Sequence, residues 1–125
     1  MSDDTNCLFC RIARGEIPSR KVFEDEDILA FHDISPAAPV HFLIVPKRHL
    51  TNLYDADLSE RELLGKIFGM TGQLAREQGC SDGFRVVVNN GRVGRQEVYH
   101  LHVHVMGGLE PLRGGRIAAE QASKE

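Results

Sequence analysis

The chain has 125 residues, 42% hydrophobic and 26% charged, with a formal net charge of −3. This is the length and balance of one globular domain with a single core, and it excludes a disordered acidic chain and a collagen-like repeat. The slight acidity argues against a nucleic-acid partner, whose phosphates call for a basic excess. The longest apolar run, His41 to Pro46, is far short of the ~20 residues that cross a bilayer.

Three cysteines are an odd number and make no disulfide framework. Met1-Ser2-Asp3-Asp4 lacks the apolar stretch of a secretory signal. The expected compartment is therefore a reducing cytoplasm, with no membrane partner.

In chain order, residues 6–14 predict a short helix, capped by Thr5 or Asn6 and closed by Gly15, with Leu8, Phe9 and Ile12 on one face. Residues 20–24 and 28–34 predict two strands joined by the acidic turn Asp25-Glu26-Asp27. Residues 35–39 form a proline-bounded loop. His41 to Val45 reads as a central strand that Pro46 stops. Ser59-Glu60-Arg61-Glu62 has the form of a capping box. It opens a long helix in which Leu63, Ile67, Met70 and Leu74 recur at helical spacing and which Gly79 ends. Gly65, Gly69 and Gly72 each cost that helix about 1 kcal/mol relative to alanine, and mark places for close approach of a backbone or partner. Residues 84–89 predict a strand, Asn90-Gly91 a turn, and residues 100–106 a last strand before Gly107-Gly108. The order of elements gives an α+β fold with an antiparallel sheet, one domain over 6–108 and a tail over 109–125.

His100-Leu101-His102-Val103-His104-Val105 alternates strictly. In a strand this sends three imidazoles to one face over roughly 13 Å, at about 3.3 Å per residue, and three apolar side chains into a core. Such a face is open to three readings: a solvated polar surface, a metal site through two imidazoles, or phosphorus chemistry. For the third, a neutral imidazole supplies a nucleophile near pH 7 and its neighbour handles the leaving group. The preceding loop, Gly91-Arg92-Val93-Gly94-Arg95-Gln96, offers amide donors suited to a phosphate. Cys7-Leu8-Phe9-Cys10 is a C-x-x-C on the first turns of a helix, open to a zinc reading or to two buried thiols. A thioredoxin-like redox motif needs a preceding strand, and none is predicted. Cys80 reads as structural.

Residues 100–106 resemble the histidine-triad pattern, in which histidines alternate with apolar residues. Phe31-His32-Asp33-Ile34-Ser35-Pro36-Ala37-Ala38-Pro39-Val40-His41, Gly15-Glu16-Ile17-Pro18, Pro46-Lys47-Arg48-His49 and Gln96-Glu97-Val98-Tyr99-His100 resemble segments of the Hint branch of that family, in register over about residues 6–108. The resemblance implies a five-stranded antiparallel sheet with a long and a short helix, continued across a homodimer. It implies a purine nucleotide-binding phosphoramidase acting on AMP, GMP or their amine conjugates. His102 would attack the α-phosphorus to give a nucleotidyl-histidine. His104 and His41 would complete the cluster, with Gln96 near the bridging atom. Asp33 would take the ribose hydroxyls. Leu8, Phe9, Ile12, Phe31 and Ile34 would wall the base, and Asn89 and Glu97 complete the nucleotide-contacting set.

Some members hold a structural zinc through residues that here are Cys7, Cys10, His49 and His100. No cofactor is implied for catalysis itself. Arg95 departs from the family, which usually has a second glycine there, and the tail lacks the tryptophan of animal members. The competing functions are a non-catalytic nucleotide-binding scaffold and a metal-binding module.

Overall fold

The structure, a computed structural model, describes residues 6–114. Five strands form one antiparallel sheet: β1 Lys21–Glu24, β2 Ile28–His32, β3 Val40–Pro46, β4 Phe84–Val87 and β5 Val103–Gly107, in the order β1-β2-β3-β5-β4. Two α-helices flank it, α1 Leu8–Ala13 and α2 Arg61–Glu77. The α+β architecture expected from the sequence is the one observed. Of the tail expected over 109–125, residues 115–125 lie outside the described residues, as does Thr5.

The sheet sits between two apolar layers, because alternate residues of a strand point to opposite faces. One face carries Ile28, Ala30, Phe42, Ile44, Val103 and Val105, packed against Ile67, Leu74 and Ala75 of α2. The other carries Leu29, Phe31, Leu43 and Val45 under Phe9, Cys10 and Ile12 of α1. β2 and β3 are therefore buried on both sides, and their unbroken apolar runs follow from that position.

Several local expectations change. The cap of α1 is Cys7, whose sulfur accepts from the Cys10 N–H, in place of Thr5 or Asn6. Gly15 does close the segment, at φ +82°. The expected capping box at Ser59 does not form. Asp57 captures the Ser59 N–H and hydroxyl and starts a 3₁₀ turn, Leu58–Glu60, that runs into α2. Glu60 then takes the cap position with no side-chain bond, since its carboxylate pairs with Arg48.

Strand β2 ends at His32, short of the expected Ile34. Asp33 accepts from the Ser35 N–H and turns the chain out of the sheet. Strand β4 ends at Val87, short of the expected Asn89, and β5 begins at Val103, after the expected His100. Apart from the adjoining residues and the backbone of α2 itself, no atom among the described residues lies within 4 Å of where a Cβ on Gly65, Gly69 or Gly72 would stand. Half-exposed Phe68 shares that outer surface of α2.

Gly107, at the end of β5, is required by packing. A Cβ there would stand 2.4 Å from the buried Cys80 sulfur. Gly107→Ala is expected to cost about 1–3 kcal/mol of stability through overpacking. Cys80→Ala in the same chain should return much of it. Urea midpoints of the two single variants and the double variant measure this coupling; additive effects would contradict the contact.

Candidate active site and a four-ligand cluster

The register of the sheet builds the site. Phe31 lies opposite Leu43 and Leu43 opposite His104, while Val87 flanks His104 from the other edge. His102 and His104 thus stand on the face covered by α1, with ring centroids 4.9 Å apart. His41, two residues from Leu43 on the same face, brings its Nε2 to 2.9 Å from His104 Nδ1. His100 precedes β5. Its side chain leaves the histidine row for the cysteines of α1, so the three triad imidazoles have unlike partners.

Those partners assign the protons. An imidazole nitrogen that donates to a carbonyl carries the hydrogen and leaves the other nitrogen its lone pair. His102 Nδ1 donates to the His100 carbonyl at 2.7 Å, so Nε2 keeps the lone pair. His41 Nδ1 accepts from the Ala37 N–H at 2.9 Å, so its Nε2 carries the proton. That proton goes to His104 Nδ1, which leaves the remaining proton of His104 on Nε2. Burial lowers the pKa of His104 to about 4, assisted by His102 and His41 and opposed by Asp33. Burial also lowers His41, with Asp33 again opposing. Both rings are neutral near pH 7, as the hydrogen-bond chain requires.

A cavity of about 600 Å³ opens over this face, within the usual range for small-molecule sites. Leu8, Phe9, Ile12, Phe31 and Ile34 line it, together with Asp33, Asn89, Glu97, His102 and His104. Ile34 is almost fully exposed at its lip and Leu8 is 44% exposed. Phe9 meets both Phe31 and His102 edge-on, with ring centroids at 5.6 and 5.1 Å. Asp33 Oδ2 lies 3.5 Å from His41 Nε2.

Gln96 is placed otherwise than expected. Its Oε1 accepts from Asn52 Nδ2 and the Gly91 N–H, while its Nε2 donates to the carbonyls of Thr51 and Val98. The buried amide staples the 91–98 loop and is not among the cavity lining. His41 also lies behind the lining, touching it through His104.

The sequence reading did not single out Ile17, Leu43 and Val98 as lining residues, nor Asn52 as the partner of Gln96. Only Leu43 was within reach, through its parity with His41 on β3. The others come from loops whose course no periodicity records.

Two groups of side chains have metal-ligand geometry among the described residues. Asp33, His41 and His104 form one, but His41 Nε2 carries a proton there and has no lone pair to give. Cys7, Cys10, His49 and His100 form the other, with all four ligand atoms within 4.8 Å of one another. Cys7 Sγ to His100 Nδ1 is 3.2 Å, Cys10 Sγ to His49 Nδ1 3.4 Å and Cys10 Sγ to His100 Nδ1 3.5 Å. Sulfur and nitrogen ligands of a tetrahedral zinc stand about 3.5 Å apart, given Zn–S of about 2.3 Å and Zn–N of about 2.0 Å. His100 Nε2 donates to the Pro46 carbonyl at 2.7 Å, which fixes the tautomer and leaves the Nδ1 lone pair directed at the cysteine sulfurs. The residues fit the metal.

Because the fold holds His104 neutral, the unfolded chain takes up its proton more readily. The stabilisation is complete above about pH 6.5 and is lost as pH falls towards about 4. The slope from this group is at most about 1.4 kcal/mol per pH unit. His104→Asn should flatten the fall of the urea midpoint between those pH values; an unchanged slope would contradict the assignment.

The HIT domain family matches residues 14–110. Protein HitA of Neisseria gonorrhoeae is 46% identical over 102 residues, covering 82% of this chain and 95% of that protein. The 14 kDa zinc-binding protein of Zea mays is 47% identical over 110 residues, covering 86% of each. The crystal structure of the HIT family hydrolase of Legionella pneumophila superposes with a TM-score of 0.81 at 50% identity, covering 84% of this chain and 95% of that one. With the family pattern matched over residues 14–110, from just after α1 to beyond β5, this chain belongs to the HIT domain family.

Proposed function

We propose that this protein is a purine nucleotide-binding hydrolase of the Hint branch, cleaving the P–N bond of nucleoside 5′-phosphoramidates through a nucleotidyl-histidine. The observation that carries this reading is the 2.7 Å bond from His102 Nδ1–H to the His100 carbonyl. It holds an unprotonated Nε2 on an imidazole that lines the cavity. In the first step that lone pair bonds to the α-phosphorus. The P–N bond breaks with its electrons passing to nitrogen, which takes up a proton from solvent and leaves as the neutral amine, while His104 Nε2–H hydrogen-bonds the phosphoryl oxygen. His41 supports His104 through its own N–H, held in that tautomer by Ala37. In the second step water attacks phosphorus, its proton returns to solvent, and His102 leaves. One water is consumed and one nucleoside monophosphate and one amine are released.

The remaining residues have binding roles in this reading. Phe9, Ile12, Phe31 and the half-exposed Leu8 enclose the base, with the exposed Ile34 at the lip, and Asp33 accepts from the ribose hydroxyls. Asn89 and Glu97 stand at the polar end. Gln96 acts at one remove, by holding the loop that carries Glu97. Cys7, Cys10, His49 and His100 hold a structural zinc, closed at four ligands, which ties α1 to the sheet. The chain works as a homodimer, formed through the glycine-lined face of α2 and the edge strand β4, whose Phe84 and Val86 are exposed. Among the described residues no helix is long and apolar enough to cross a membrane.

Incubation with adenosine 5′-phosphoramidates, with AMP release followed by chromatography, tests the activity. His102→Ala should lower turnover at least about 10³-fold while AMP binding persists, and His104→Ala should lower it about 10²- to 10⁴-fold. Wild-type turnover in His102→Ala would refute the reading.

Metal analysis tests the second site. One zinc per chain is expected in protein purified without chelator. Chelation should lower the melting temperature, because the binding free energy of a structural metal is folding free energy. A stoichiometry near zero with both thiols titratable would leave Cys7 and Cys10 as buried thiols.

A further inference from the structure

Arg95 has a backbone conformation that its side chain does not favour. Its φ is +62°, making it the sole non-glycine residue with positive φ among the described residues. Side chains with a Cβ seldom adopt this region, and strain held there by surrounding structure points to a use for the residue. The surroundings do hold it. The Arg95 N–H donates to the Arg92 carbonyl, the Gln96 N–H to the Gly91 carbonyl, and the four bonds of the Gln96 amide lock the chain immediately after it. Gly94, just before, is pressed against Asn90, whose carbonyl oxygen would lie 2.4 Å from an added Cβ. The turn is thus closed on both sides of a residue for which glycine is the unstrained choice.

Arg95 lines the same cavity as His102 and His104. It is the one permanent cation among the described lining residues, and no carboxylate among the described residues forms an ion pair with it. Its position in the fold is informative. The apolar wall comes from α1 and β2, on one side of the histidines. Arg95 comes from the β4–β5 connection, on the opposite side. A nucleotide whose base lies on the apolar wall and whose α-phosphorus lies at His102 directs its leaving group towards that connection. Glu97 also lines this end, so an Arg95 left without an anion has a carboxylate but no bond to it.

Resting on the phosphoramidase reading, we infer that Arg95 is a specificity-determining residue that selects conjugates whose leaving amine carries an anionic group, a carboxylate or a phosphate. A guanidinium suits either, through paired N–H donors. The bonds made and broken are unchanged: P–N is hydrolysed and the amine departs with its anion.

The test compares three conjugates of AMP, joined through nitrogen to β-alanine, to phosphoethanolamine and to the neutral amide of β-alanine. The wild type, Arg95→Gly and Arg95→Lys are assayed on each. Glycine takes a φ of +62° without strain, so Arg95→Gly keeps the fold. In the wild type kcat/KM should favour at least one anionic conjugate over the neutral one by about five- to tenfold, the range expected of a charged hydrogen bond at a partly exposed site. The preference should shrink in high salt. It should fall to one or below in Arg95→Gly and survive in part in Arg95→Lys. Whichever anion gives the larger ratio names the leaving-group class. Equal ratios in wild type and Arg95→Gly would overturn the inference. So would a uniform loss on all three conjugates, which would place the guanidinium on the α-phosphate. If the wild type turns over none of them, the phosphoramidase reading fails. Titration of the intact conjugates into His102→Ala, with and without Arg95→Gly, then decides the selectivity from the ratio of Kd values.

Discussion

The hydrogen bond from His102 to the main-chain carbonyl of His100 is the contact on which the rest of the site depends. It is local, spanning two residues, yet it can form only where the chain has not yet entered the regular ladder of β5, which begins at Val103. A carbonyl engaged in a strand ladder faces a neighbouring strand. The His100 carbonyl is turned to the imidazole two residues on, and that turn determines which nitrogen of His102 reaches the cavity. The other imidazoles repeat the device. Pro46 supplies the carbonyl for His100, and Ala37 supplies the N–H for His41. Main-chain groups do not titrate, so the tautomer that each neutral ring adopts is set by the fold.

The two faces of the sheet divide the work between stability and chemistry. The α2 face is continuous apolar packing. The α1 face is apolar under the short helix and polar beyond it, where Asp33, His41, His102 and His104 meet. A helix of six residues has little stability of its own. Its position is set by burial of Phe9, Cys10 and Ile12, and by the convergence of Cys7 and Cys10 on His49 and His100. The same residues that anchor α1 therefore position the cavity wall that Leu8, Phe9 and Ile12 provide. His100 joins the two regions, with its ring in the four-ligand cluster and its carbonyl under His102.

The β4–β5 connection is the third part of the site, and it is organised from within by a buried amide. Gln96 satisfies both its donors and its acceptor inside the loop and against Asn52 and Thr51. A buried amide with every polar atom paired rigidifies what surrounds it. This explains how Arg95 is kept at positive φ beside it, and how Glu97 and Asn89 are presented to the cavity without belonging to regular strands.

Much of this was legible in the chain alone, for physical reasons. Alternation at His102 to Val105 dictates one polar and one apolar strand face. Apolar spacing from Leu63 to Leu74 dictates which side of α2 is buried. The runs Ile28 to Phe31 and Phe42 to Val45 call for strands covered on both sides. These are periodicities of the backbone itself, and they survive any tertiary arrangement. What the tertiary structure decided were competitions between partners. Asp57 took the serine that a capping box would have used, and Asp33 ended β2 early by binding the Ser35 N–H. Gln96 turned inward to Thr51 and Asn52, and His100 left the histidine row for two cysteines 93 and 90 residues away. The separate offices of three chemically identical imidazoles were decided there too. Each is set by a carbonyl or N–H that every residue carries, so no residue type in the sequence marks it.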